Sequence, residues 1–437
     1  MAILPAMRAF RAATLVCGGG LVLSVGGCQY RGAEADPAAA TEPAANPAPH
    51  RETVQLDDPS LLAGIPGEGP LTAAEATRWL DEPTTCAPLE PILPDWLQPG
   101  AGQVKDLADN PLSRGKIELG RQLFFDTRLS ADGSLSCASC HQPDHGFAFP
   151  RPLATGIDGR PGQRHPPTLL NRIMLAVGDD RQLWDGSAAS VEAALLHTLA
   201  DEREMGADPA ATIARLEANE AYSLQFAAVY GGVSWSAIGD ALGGFVRCLV
   251  TGDSPYDHAV RWRTYERLPE DLLQDDPELA SRFLAAQQAA AKQPLSEAAI
   301  RGEQLFFGNR AWSSSCHNGV NFTDEQFHNI GVGVDRAEPD LGRFRVTGRD
   351  ADWAAFKTPT IRNAAATAPF MHDGSLPTLA AVVDWYAQGG RPNRNLDYRF
   401  RWLEPGSLSP RDRADLVAFI EACGGQLPQV ETGRLPE

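Results

Sequence analysis

Residues 137–141 read Cys-Ala-Ser-Cys-His, and no other stretch limits so strongly what the chain can become. Two thiols separated by two residues and followed at once by an imidazole can reach one macrocycle from a single turn of backbone. Both sulfurs then add to porphyrin vinyl groups as thioethers, and the ring becomes an axial ligand of the iron. C-x-x-C-H is the attachment signature of a c-type haem. The competing reading is half of a zinc site. That would need a second ligand pair at matching spacing, and the sequence has no second C-x-x-C. The motif therefore points to electron or peroxide chemistry at Cys137, Cys140 and His141.

The rest of the chain fits an exported, mainly helical protein. Its 437 residues allow two or three domains. Apolar runs such as Leu183–Leu199 and a periodic stretch over 113–125 suggest helices. A net charge of −18 argues against nucleic acid and for a basic protein partner, if any. Arg8, Arg11 and the apolar run 12–25 read as an export leader, too short to span a membrane. Its end, Leu23-Ser24-Val25-Gly26-Gly27-Cys28, resembles a bacterial lipoprotein box, so Cys28 is the expected lipidation site and the lipid the only membrane contact. After the leader (1–28), the Ala/Pro/acid-rich segment 29–70 reads as a disordered tether. An N-terminal extension follows over 71–104, with a short helix capped by Thr72. Of the eight cysteines, Cys86, Cys248 and Cys423 belong to no motif. An oxidising compartment permits one disulfide among them and leaves one thiol free.

Residues 120–125, Gly-Arg-Gln-Leu-Phe-Phe, recur at 302–307 as Gly-Glu-Gln-Leu-Phe-Phe, and the second copy also leads into a Cys-His pair, Cys316-His317. Such a repeat predicts two related modules: an N-terminal haem domain over 105–288 and a C-terminal one over 289–425, with a tail at 426–437. In the second module Ser313 stands where the first cysteine would be, and serine forms no thioether. Either that haem is absent, or it is held by one thioether at Cys316 together with His317. Iron–imidazole ligation and burial of the macrocycle retain haem as well, which favours the second reading.

Further blocks carry a resemblance. They include Arg164-His165-Pro166-Pro167-Thr168-Leu169-Leu170-Asn171, Trp184-Asp185-Gly186 and Glu204-Met205-Gly206. Downstream come Asn321-Phe322-Thr323-Asp324, Phe327-His328-Asn329-Ile330-Gly331, Phe356-Lys357-Thr358-Pro359-Thr360-Ile361-Arg362-Asn363 and Thr367-Ala368-Pro369-Phe370-Met371-His372-Asp373-Gly374, then Tyr386. In this order, over about 105–425, the sequence resembles the bacterial dihaem cytochrome c peroxidase family, most of all its MauG-like and MbnH-like branch. The resemblance implies two cytochrome-c-like helical domains, each built around a c-type haem.

It also implies roles. His141 and His317 are the proximal ligands, and Tyr386 is the distal ligand of the second haem in place of the peroxidases' methionine. Ile157 occupies the position where many peroxidases bring a second histidine to the first iron, so that iron is expected to be open to hydrogen peroxide. Glu204 matches the acid–base glutamate of the distal pocket. The family's distal glutamine is Ala194 here, and His197, nearby, is a candidate substitute. Trp184 is expected between the haems. Thr367 and Pro369 match residues whose carbonyls bind calcium, but the asparagine that completes that site is His165, and imidazole is a poor calcium ligand. The implied activity is oxidation of an aromatic residue on an exported protein, driven by peroxide. The alternatives are a peroxidase fed by a small cytochrome or copper protein, and a non-catalytic electron carrier. A pyridine haemochrome count decides between one and two haems per chain, and a band shift in it reports a missing thioether.

Overall fold

The computed structural model describes residues 51–104, 107, 110–173 and 181–437. The leader, Cys28 and the tether up to residue 50 lie outside the described residues. Helices run in the order α1 (Ala73–Leu80), α2 (Arg114–Phe125), α3 (Cys137–Cys140), α4 (Val191–Ala200), α5 (Pro209–Glu217), α6 (Glu220–Tyr230) and α7 (Trp235–Arg247). They continue with α8 (Pro255–Tyr265), α9 (Glu270–Asp275), α10 (Pro277–Lys292), α11 (Glu297–Phe307), α12 (Phe344–Thr347), α13 (Leu379–Ala387) and α14 (Pro410–Ala422). Strand content is small. The pair β1 (Thr53–Gln55) and β2 (Glu90–Ile92) is parallel, and β3 (Phe327–His328) and β4 (Phe356–Lys357) is antiparallel.

The internal repeat is a repeat in three dimensions. In the first module α2 crosses α7; in the second α11 crosses α14. Each crossing is closed by the repeat's glycine. A Cβ on Gly120 would lie 2.0 Å from the Ala241 carbonyl oxygen, and one on Gly302 would lie 1.9 Å from that of Asp415. Each is flanked by a phenylalanine pair, Phe124–Phe245 at 5.1 Å and Phe306–Phe419 at 5.0 Å. All four helices start on a serine, Ser113, Ser234, Ser296 and Ser409, whose hydroxyl accepts a first-turn N–H at 3.1–3.2 Å. Such caps contribute about 1 kcal/mol each.

The one mismatch in the repeat marks where the modules differ. Arg121 is fully buried, paired with Glu118 at 2.7 Å, and donates to the carbonyls of Glu431 and Arg434 in the C-terminal tail. Its counterpart Glu303 instead pairs with Arg263 on α8. The tail thus folds back onto the first module, where Leu71 N–H also donates to the Leu435 carbonyl at 2.8 Å.

Two expectations are corrected. Residues 51–70 are not a disordered tether, for Val54 enters a strand pair and Leu56, Leu61 and Leu62 are buried in the first module's core. These few apolar side chains suffice because a partner surface exists for them. Nor is 183–199 one helix. Leu183 and Gly186 take positive φ (67° and 70°), so Trp184-Asp185-Gly186 forms a turn and the helix starts only after Ser190. Cys86, Cys248 and Cys423 are all free thiols.

Gly302→Ala is expected to cost about 1–3 kcal/mol by forcing α11 off α14, seen as a lower denaturation midpoint of the holoprotein, and Gly120→Ala the same in the first module.

Candidate functional site

Each module presents one histidine in the same way. In the first, α3 brings His141 round so that its N–H donates to the Cys137 carbonyl at 2.9 Å. Its Nδ1 lies 3.0 Å from the Phe147 carbonyl oxygen. A carbonyl only accepts, so Nδ1 carries the proton and Nε2 keeps a lone pair for a metal. Burial, partly opposed by the Phe147 and Pro167 carbonyls, pushes the His141 pKa down to about 4, so the ring is neutral. In the second, His317 N–H donates to the Ser313 carbonyl at 2.9 Å and its Nδ1 lies 3.1 Å from the Phe322 carbonyl. Burial lowers its pKa too. Replacing cysteine by Ser313 removes a sulfur but leaves the turn intact, because the turn uses the backbone.

Both accepting phenylalanines sit in the left-handed region (Phe147 φ 55°, Phe322 φ 49°). The conformation costs about 1 kcal/mol or more in each. A second repeat supports them. Thr168 donates its hydroxyl to the Gly146 carbonyl and Thr360 to that of Asn321, both at 2.6 Å. Asn171 and Asn363 follow three residues later, again with positive φ (58° and 55°). The shared pattern Pro-Thr-x-x-Asn stands in the sequence twice, at 167–171 and 359–363, with three side chains recurring at the same spacing.

One cavity of about 540 Å³ is lined by residues of both sites, Cys137, Cys140 and His141 as well as Cys316, His317 and Tyr386. Its walls near the first are apolar, with Phe124, Leu169, Leu195 and Val246. Glu204, His197, Thr198 and Ala194 line the same part. Glu204 is solvent-accessible and lines the cavity. Burial and neighbouring Asp201 raise its carboxyl above the ordinary range, against the pull of Thr198 and His197. Ile157 donates its N–H to the Glu204 carbonyl at 2.9 Å and rests its Cδ1 on Gly206, so it belongs to this pocket's support.

Tyr386 lines the second site, its ring stacked on Phe400 at 5.6 Å. Burial, with Cys316 and Asp324 nearby, raises its hydroxyl pKa, so the group is a phenol unless a cation draws off the proton. His328, one residue of the Phe-His-Asn-Ile-Gly block, lines the same site. His328 contacts Asp397 at 2.7 Å and Asp324 at 2.9 Å. Burial disfavours its charge, but bonds to Asp324, Asp397 and Cys316 outweigh that and raise its pKa to about 11.

Between the sites, Trp184 touches both modules. Its indole N–H donates to the His165 carbonyl at 2.8 Å, and its own carbonyl accepts from Lys357 N–H on β4 at 2.8 Å. Gly186 fits because Arg343 and Phe327 come within 2.4 Å of where a Cβ would be. Thr367 and Pro369 line the cavity here. Calcium fits this donor set poorly, since the side chain reaching the seam is the His165 imidazole.

Comparison with known proteins agrees with this arrangement. Residues 114–264 match the family model described as di-haem cytochrome c peroxidase. The chain is 36% identical over 332 residues to the methylamine utilization protein MauG of Methylorubrum extorquens, covering 75% of this chain and 83% of that protein. This chain belongs to the di-haem cytochrome c peroxidase family, in its MauG-like branch. Cytochrome c551 peroxidase of Pseudomonas aeruginosa is 29% identical, covering 76% and 86%. Among solved structures, a MauG-like protein associated with microbial copper homeostasis superposes with a TM-score of 0.61 at 30% identity, over 76% of this chain and 95% of that one. As a member of this di-haem family the protein is a peroxide-dependent oxidoreductase with two c-type haems, acting with a protein substrate or electron donor.

Glu204→Gln is expected to slow the reaction with peroxide by about 10²- to 10⁴-fold, measured by stopped flow. With the carboxylate as proton acceptor, the wild-type rate is expected to rise with pH along a limb shifted above the usual carboxylate range, and E204Q to lose that limb.

Proposed function

We propose that this protein is a MauG-like enzyme that uses hydrogen peroxide to oxidise an aromatic residue on an exported partner protein. Cys137 and Cys140 attach the first haem and His141 ligates it. Cys316, by a single thioether, together with His317 and Tyr386 would hold the second. When bound, the haems supply the redox chemistry, reductive cleavage of peroxide at the first and retention of oxidising equivalents at the second. Glu204 takes the proton from peroxide and returns it to the leaving oxygen, and His197 supplies a polar group on the same wall. Trp184, hydrogen-bonded into both modules, carries electrons between the sites. A phenolate at Tyr386 is a hard anionic ligand and favours the more oxidised iron, and the cation overcomes the environment that otherwise keeps the group protonated. The leader and Cys28 place the protein outside the cytoplasm on a lipid anchor. The charge of −18 favours a basic partner.

The observation that supports this reading most is Ile157. Where a peroxidase of this family would bring a second histidine to the first iron, this chain has an alkyl side chain resting on Gly206. Peroxide added to the fully oxidised protein, without reductant, is expected to change the haem spectrum stoichiometrically. If only the half-reduced protein reacts, and turns over with a small cytochrome or copper protein, the enzyme is a conventional peroxidase. Tyr386→Met is expected to keep peroxide binding and raise the potential of the second haem.

A further inference from the structure

We propose that His165, not calcium, braces the seam between the modules and thereby positions Trp184: its imidazole N–H holds the 151–152 loop against Gly374 of the second module, and its backbone bonds that module directly. The residue is 4% exposed and makes three links. Its Nδ1 lies 3.2 Å from the carbonyl oxygens of both Arg151 and Pro152, and since these only accept, the ring's proton sits between them. Its backbone N–H donates to the His372 carbonyl of the second module at 2.8 Å. Its own carbonyl accepts the Trp184 indole N–H at 2.8 Å. A shift of His165 therefore moves the tryptophan, the 151–152 loop and the 371–374 loop together.

The chemistry of the seam opposes a cation. Calcium takes about six to eight oxygen ligands, with at least some negative charge among them. Here the side chain that reaches the seam is an imidazole, a poor calcium ligand, and its ring proton is already held by the Arg151 and Pro152 carbonyls. The acids nearby are compensated by arginine. Asp373 pairs with Arg336 at 2.5 Å, and Asp185 and Asp340 both pair with Arg164 at 2.7 Å. The loops also meet closely, since a Cβ on Gly374 would stand 2.4 Å from Pro152 Cα. An N–H donor and a cation both satisfy carbonyl oxygens, but the donor is attached to the chain and needs no ion from solution.

The test uses the holoprotein purified in calcium and then desalted. Metal analysis is expected to find no retained calcium, and Tm and haem spectrum are expected to be the same in calcium and in EGTA. His165→Asn supplies an oxygen ligand, so it is expected to retain calcium and gain Tm when calcium is added. His165→Ala is expected to slow electron transfer between the haems by about tenfold, the scale of one lost buried hydrogen bond, and calcium is not expected to restore it. Calcium retained by the wild type near one per chain, with a fall in Tm on EGTA, would overturn the proposal. So would a folded H165A with unchanged inter-haem transfer. Calcium content and Tm do not depend on what the enzyme oxidises, so this inference can fail without the proposed function failing, and the reverse.

Discussion

The structure depends on a bond made twice, from an imidazole Nδ1–H to a backbone carbonyl, Phe147 for His141 and Phe322 for His317. It fixes the tautomer and leaves Nε2 free to take a metal, while burial, against the pull of the same carbonyl, holds each ring neutral. Each carbonyl is aimed by a residue in the left-handed region, and that conformation persists only because its surroundings hold it. A threonine hydroxyl bonds the neighbouring chain, and a phenylalanine from the glycine-closed helix crossing packs against the turn, Phe124 on Phe147 and Phe306 on Phe322, both at 6.1 Å. Helix packing, backbone strain and the orientation of the imidazole are thus one arrangement, present in duplicate.

The duplicates diverge where each meets a different neighbour. Arg121 holds the C-terminal tail and Glu303 holds α8. The first pocket carries Glu204, with a carboxyl made more basic by burial, while the second carries Tyr386 and the strongly basic His328 between two aspartates. One framework therefore places a carboxyl of raised pKa at one site and a buried tyrosine hydroxyl at the other. The Trp184 turn lies between them and is gripped from both sides.

Much of this was legible in residue order. The Cys-His motifs, the Gly-x-Gln-Leu-Phe-Phe repeat and the serine caps act over a few residues, and local chemistry determines what they do. Other features were not legible. The segment 51–70 looked too poor in large apolar groups to fold, because sequence does not show the core surface its few leucines reach. The run 183–199 looked helical because apolar content alone does not reveal the positive φ at Leu183 and Gly186. His328 looked like one residue of a block until Asp397, far along the chain, came within 2.7 Å of it.

The sequence by itself determined one complete c-type haem motif and a repeated module whose Cys-His pair lacks the first cysteine, since thioether formation and iron ligation depend on residue type at fixed local spacing. Only the tertiary structure decided what the groups around those motifs can do. The proton affinity of Glu204, the charge on His328, the bracing of Trp184 and the donor role of His165 each depend on burial and on partners distant in the chain. Desolvation and hydrogen bonding are properties of that assembled environment, and no local pattern of residues contains them.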